Sequence, residues 1–352
     1  MRNRRLSFLD EVSSNKGAHN LKSYMSKLAK VNILKAVHLI NDRALSFPSL
    51  YILQAEISGG KIYSYLSDRN KFALDFIDVI VSKDALKRAN LKLDDTKIVL
   101  PALNWILETG WNMDGQINDN RINAEPVGYD NDAEPVGYDN DAEPVGYDEV
   151  LDIAAILLCK KYKDKTNLKT IVDLIFDRNT RCSFKYDIVW AFFECGDPQG
   201  LIFIINRLCS DNEKDTALAQ KLLSFIPCVR DNKEKGTACQ YYSALSWLEE
   251  NYPFIYYTNE SFHQRSTPTQ FDVSLESKYL CKPLILEDKP FLRSLSQEQS
   301  TIVENLSNID DATKRLLSNY SFLLYRQDID FWNTWIHYPV SEQIRVANAR
   351  QF

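Results

Sequence analysis

The chain has 352 residues, 45% of them hydrophobic and 26% charged, with a net charge of −6. That is the balance of a globular protein able to bury a sizeable core, and no apolar run reaches the length of a membrane span, which argues against an integral membrane protein. Seven cysteines, odd in number and never arranged as CxxC, with only four histidines and none near a cysteine pair, argue against a zinc site and for a reducing, cytoplasmic setting.

Residues 1–20, beginning MRNRRLSFLDEVSS, read as a polar basic tail with no apolar core of the kind a secretory signal has. The first 43 residues carry nine Lys/Arg against three acids. An N-terminal helical region is expected over 21–118. Within it, Leu21, Met25, Leu28, Ile33, Val37 and Ile40 lie near one face and lysines on the other, which predicts one long helix from Leu21 to Leu45. A basic amphipathic helix can serve a nucleic acid or a membrane surface; a core-facing helix with a lysine-rich outer face is the favoured reading. Phe47-Pro48 ends it, and helices follow over 72–89 and 96–109, with Trp105 and Trp111 as packing residues.

Residues 119–148 are the least usual stretch. Ala124–Asp132 read AEPVGYDND, Ala133–Asp141 repeat it without change, and Ala142–Asp148 begin a third copy. Each unit has a Pro, a Gly and an Asp/Asn cluster, which predicts a turn-rich loop with too few apolar groups for a core. Ten acids and one base between Asp119 and Glu149 make the segment −9. Asp130, Asp132 and Glu134 alternate like the start of a calcium loop. The glycine and closing glutamate of an EF-hand are not at the needed positions, so no metal or other cofactor is expected. Tyr129, Tyr138 and Tyr147, nine residues apart beside acids, are candidate partner contacts in a multivalent display. Loss of one whole unit is expected to leave the fold intact, because closure entropy varies only logarithmically with loop length.

A helical core is expected over 149–252. Apolar residues recur at helical spacing in Ile188, Val189, Phe192, then Leu201, Ile204, Ile205, Leu208, then Leu218, Leu222, Leu223, Ile226. Between the first two groups, Cys195-Gly196-Asp197-Pro198 reads as a tight turn in which Asp197 caps the helix that Pro198 begins. The stretch IVWAFFECGDPQGLIFIINRLCSD, Ile188 to Asp211, resembles HEAT-like repeats, in which a helix, a G-D-P turn and a second amphipathic helix alternate. The resemblance implies an all-α fold, an irregular HEAT-like α-solenoid carrying the acidic loop as an insertion, with antiparallel pairs near 150–178, 184–210 and 213–250. Residues 253–290 lose helical period and read as an irregular segment, either a long loop or a small hairpin. A C-terminal helical region follows over 291–352, with Ser294-x-x-Gln297 as a helix cap. There, HYPVSEQIRVANAR again resembles a HEAT-like turn and second helix, which implies Ile344, Val346 and Ala347 facing the preceding helix and a buried Arg. Trp332 and Trp335 just before it join the tyrosines as candidate partner contacts.

No nucleophile elbow, P-loop, dinucleotide fingerprint, metalloprotease helix or kinase set is present in the sequence. Adjacent acids such as Asp94-Asp95 and Asp310-Asp311 point apart and make no acid/base dyad. The reading is a non-enzymatic protein–protein interaction scaffold or adaptor with a protein partner or self-assembly. A structural subunit of a larger assembly is the alternative, and a HEAT-like enzyme or nucleic-acid-binding protein a further one. Outside the acidic segment the chain is only +3, which makes nucleic acid an unexpected partner.

Overall fold

Ser7 and Asp10 start the fold. The Ser7 hydroxyl accepts from the Asp10 amide and the Asp10 carboxylate accepts back from the Ser7 amide, a capping box that opens helix α1 (Phe8–Val31). The tail expected over 1–20 is therefore corrected: from Phe8 onward it is helix. At Gly17 the backbone takes φ 79° and ψ 168°, a conformation essentially reserved for glycine. The Phe8 ring comes within 5.5 Å of Tyr24. Asn32 then ends α1, and its side chain accepts from the Lys35 amide to start α2 (Ile33–Ile40). The single helix expected over 21–45 is thus two, because Asn32 is a cap within the apolar period.

The structure is a computed structural model and describes residues 6–58, 60–83, 87, 90–112, 146–183, 186–231, 236–260, 269–284 and 295–349. The fold is all-α, with about 75% of it helical. Among the described residues the β structure is one two-stranded sheet. The chain divides into two units, one of residues 1–175 and 186–192, the other of 176–185 and 193–352.

In the first unit α1 is joined by α3 (Phe47–Ile52), α4 (Gln54–Ile57), α5 (Asp68–Ser82), α6 (Thr96–Asn112) and α7 (Tyr147–Lys160). Helix α6 packs against α3, α5 and α7. Its reach is set by hydrogen bonds as well as apolar area: the Phe47 amide donates to Thr109 Oγ1 at 2.8 Å, and Trp105 Nε1 donates to the Leu45 carbonyl at 3.0 Å. Phe47, Tyr51, Trp105 and Tyr147 form one ring cluster. Gly110 lets α7 come close, since a Cβ there would lie 2.7 Å from Leu151 and 3.1 Å from both Phe47 and the Tyr147 hydroxyl. Helices α8 (Leu168–Thr180) and α9 (Tyr186–Glu194) follow.

In the second unit, Asp197 accepts from the Gln199 amide at 3.1 Å and Pro198 takes the first helical position, as the turn chemistry requires. The single turn they begin runs into α10 (Leu201–Ile205). Helices α11 (Glu213–Leu222), α12 (Pro227–Asp231) and α13 (Thr237–Asn251) come next. The segment without helical period folds as β1 (Ile255–Tyr257) antiparallel to β2 (Phe271–Val273), with Ile255 opposite Val273, and then α14 (Leu275–Tyr279). Last come α15 (Gln297–Ser307), α16 (Asp311–Gln327), α17 (Ile329–Trp335) and α18 (Val340–Ala349). Helix α15 is capped by Ser296 and Gln299, two residues after the expected Ser294 and Gln297. Tyr279, Leu306, Leu317, Tyr320, Leu324 and Trp335 form the core here. In α18 the implied buried arginine is corrected: Arg345 is exposed and pairs with Glu342, while Gln343 is buried at 1% exposure.

Candidate functional site

The second unit holds an open cleft of about 550 Å³. One wall is the strand-to-helix junction: β2 supplies Asp272 and Val273, Ser274 caps α14 by accepting from the Ser277 amide, and α14 supplies Leu275 and Glu276. Opposite stands the first turn of α16, which begins at the Asp310 cap and presents Asp311, Lys314 and Arg315. Tyr256 and Leu284 complete the lining. The two walls are fastened by serines one turn apart on α16. Ser318 Oγ donates to the Leu275 carbonyl at 2.9 Å and Ser321 Oγ to the Tyr279 carbonyl at 2.6 Å, and both serines are fully buried. Small hydroxyl residues there let α14 lie close on α16 while donating to a carbonyl at each end of α14.

Behind the cleft wall lies Lys278, 2% exposed. Its ammonium donates to Asn251 Oδ1 at 2.7 Å and Asn319 Oδ1 at 2.6 Å, and sits 5.8 Å from the centre of the Phe322 ring. Burial lowers its pKa to about 8, against the opposing pull of the Glu250 carboxylate. Cys281 is close by, with its thiol on the Lys278 and Ser321 carbonyls, and burial pushes it up to about 12. A thiol so placed stays protonated and unreactive, and an ammonium so enclosed meets no substrate. Lys278 is a pin between α13, α14 and α16.

The cleft itself is lined by three carboxylates, Asp272, Glu276 and Asp311, and two cations, Lys314 and Arg315, together with Val273, Leu275 and Leu284. Lys314 lies 3.5 Å from Asp311. The Tyr256 phenol is raised above its ordinary pKa by burial and then by Asp272, Glu276 and Glu260, so it remains a neutral donor. Among the described residues no group of three or more His, Cys, Asp or Glu side chains is placed to hold a metal ion.

The residues expected to meet a partner lie elsewhere. Tyr129 and Tyr138 fall outside the described residues. Tyr147 is corrected from an exposed display to core: it is 8% exposed, opens α7, and its hydroxyl donates to the Gly110 carbonyl at 3.0 Å. Trp335 is fully buried against Tyr279 and Tyr320 and cannot touch a partner. Trp332 is half-buried, with its Nε1 donating to Ser321 Oγ and its ring edge-on to Tyr325. Tyr147, Trp332 and Trp335 do not line the cleft. Sequence reading missed the β2–α14 wall of the cleft because it falls in the segment without helical period; the Ser274 cap after a short alternating strand was the available signal.

No family model, curated protein or solved structure matches the chain.

Proposed function

We propose that the chain is a non-enzymatic helical interaction scaffold that holds a segment of a protein partner in the cleft between β2–α14 and α16. The observation that carries the reading is the meeting of Asp272 and Glu276 on one wall with Lys314 and Arg315 on the other, with Val273, Leu275 and Leu284 also in the lining. Complementary charges set register and steer encounter, and aliphatic contacts supply the desolvated area. The HEAT-like helix–turn–helix arrangement belongs to this proposal; the Asp197–Pro198 cap between α9 and α10 supports it. Seven free cysteines support a reducing, cytoplasmic setting.

Selection of a displayed peptide library against the full chain tests the reading. Enriched peptides should carry both signs of charge, and Lys314→Glu/Arg315→Glu should weaken them by at least about tenfold, the scale of a broken charge pair. Absence of enrichment, or equal binding by the variant, would remove the cleft as the partner site.

A further inference from the structure

The first unit carries a surface that the cleft does not use. From Val12 to Asn41 the chain has no acidic residue and five lysines. Where α1 meets α2, Lys27, Lys30 and Lys35 are exposed, and between them Val31 and Leu34 stand 86% and 72% exposed. The inner face is already filled by Leu21, Met25, Ala36 and Ile40, so these two aliphatic side chains are surplus to the core. The corner is built: Asn32 Oδ1 holds the Lys35 amide at 3.0 Å, which fixes Val31 and Leu34 on either side of a cap. None of the three lysine side chains is ion-paired with a described residue. The exposed Phe8 ring contacts Tyr24, which is seven residues before Val31, roughly 10 Å along the helix.

We infer that this corner docks on an anionic lipid surface, with Val31 and Leu34 entering the boundary between headgroups and acyl chains and Lys27, Lys30 and Lys35 facing the lipid charges. Lysines alone would serve a phosphodiester backbone as well. Two exposed aliphatic side chains close in the chain to three exposed lysines gain nothing from that backbone, whereas a bilayer stabilises both sets. Contact is peripheral: among the described residues no helix is long and apolar enough to cross a membrane. Each basic residue adds a modest increment near a negatively charged leaflet, so three lysines and two aliphatic groups give a reversible, salt-sensitive attachment.

Flotation of the full chain with vesicles tests this, using phosphatidylcholine alone and phosphatidylcholine with phosphatidylserine. The chain should float with the anionic vesicles and bind the neutral ones at least about tenfold more weakly, the difference falling as salt rises. Lys27→Glu/Lys30→Glu/Lys35→Glu should abolish binding. Val31→Ser/Leu34→Ser should reduce it about tenfold, at unchanged melting temperature because both sites are exposed. Leu34→Ser alone provides a milder variant should the pair melt lower. Three results would overturn the inference: no flotation of the unaltered chain, equal binding to neutral vesicles, or full binding by the Val31/Leu34 variant. Tight retention of duplex DNA or RNA that ignores Val31→Ser/Leu34→Ser would reassign the corner to nucleic acid.

Discussion

Asp10 in the first unit and Lys278 in the second are both buried charges, and they meet the same problem from opposite ends. In the first, Asp10 is fully buried, and its carboxylate accepts from Ser7 Oγ at 2.7 Å, from Ser46 Oγ at 2.6 Å and from the Ser46 amide. Ser7 caps α1 and Ser46 precedes α3, so the anion sits where two helix N-termini converge and both dipoles favour it. In the second, Lys278 has two neutral amide oxygens and no adjoining carboxylate partner. The first charge is solvated by donors aimed at it, whereas the second is only tolerated, and its lowered pKa records the difference. A buried charge is therefore not by itself a measure of stability; the groups facing it decide.

The ring clusters of the two units differ in the same way. Trp105 Nε1 and the Tyr147 hydroxyl both find carbonyls, while Trp335 Nε1 and the Tyr320 hydroxyl have no hydrogen-bond partner among the described residues. Tyr147→Ala should consequently have the largest effect, about 4 kcal/mol lost in urea unfolding, as for truncation of a buried ring. A loss under 1 kcal/mol would mean that Tyr147 is peripheral after all. Asp10→Ala should cost about 3 kcal/mol, because it strands the Ser7 and Ser46 donors in a dry site. If Asp10→Ala proved neutral, the contrast between the two charges would collapse.

Lys278 gives the sharper test, through pH. Its folded pKa lies below its unfolded value of 10.5. Below about pH 8 both states carry the proton and the burial cost is fully present. Between about pH 8 and 10 the folded state sheds the proton while the unfolded state keeps it, so stability should rise by roughly 2 kcal/mol. Lys278→Met should remove that rise. Above pH 10 the trend reverses, since Tyr51, Tyr257 and Tyr279 are pushed up to about 12 in the fold and ionise first when unfolded. A wild-type profile that is flat from pH 8 to 10 would show that Lys278 titrates normally. Smallest, Asp197→Ala should cost about 1 kcal/mol, the value of a lost cap, measured by the urea midpoint.

Residues whose partners lie close in the sequence were legible. Asp197-Pro198 is a cap written within two residues, and it forms. Ser7-x-x-Asp10 was equally local but was absorbed into a tail by the basic residues before it. Tyr147 misled because it stands in a repeat whose other copies have no apolar continuation. After this copy come Val150, Leu151, Ala154 and Leu158, whose helical spacing recruits the tyrosine into their buried stripe. Lys278 could not be read at all. Its partners lie 27 residues before it and 41 after it, a pairing that only the packing of α13, α14 and α16 creates.

Gln343 carries a consequence for how the chain is made. Its amide nitrogen serves the carbonyls of Trp335, Ile336 and Tyr338, and its oxygen accepts from the Tyr279 hydroxyl, 64 residues earlier. A polypeptide emerges from the ribosome N-terminal end first, and segments already outside settle before later ones exist. Until residue 343 has left the exit tunnel, Tyr279 has no acceptor and the carbonyls after α17 have no donor from this side chain. The α14–α18 core is thus completed only once residue 343 has emerged, whereas the Asp10 site of the first unit can close once residue 46 has emerged.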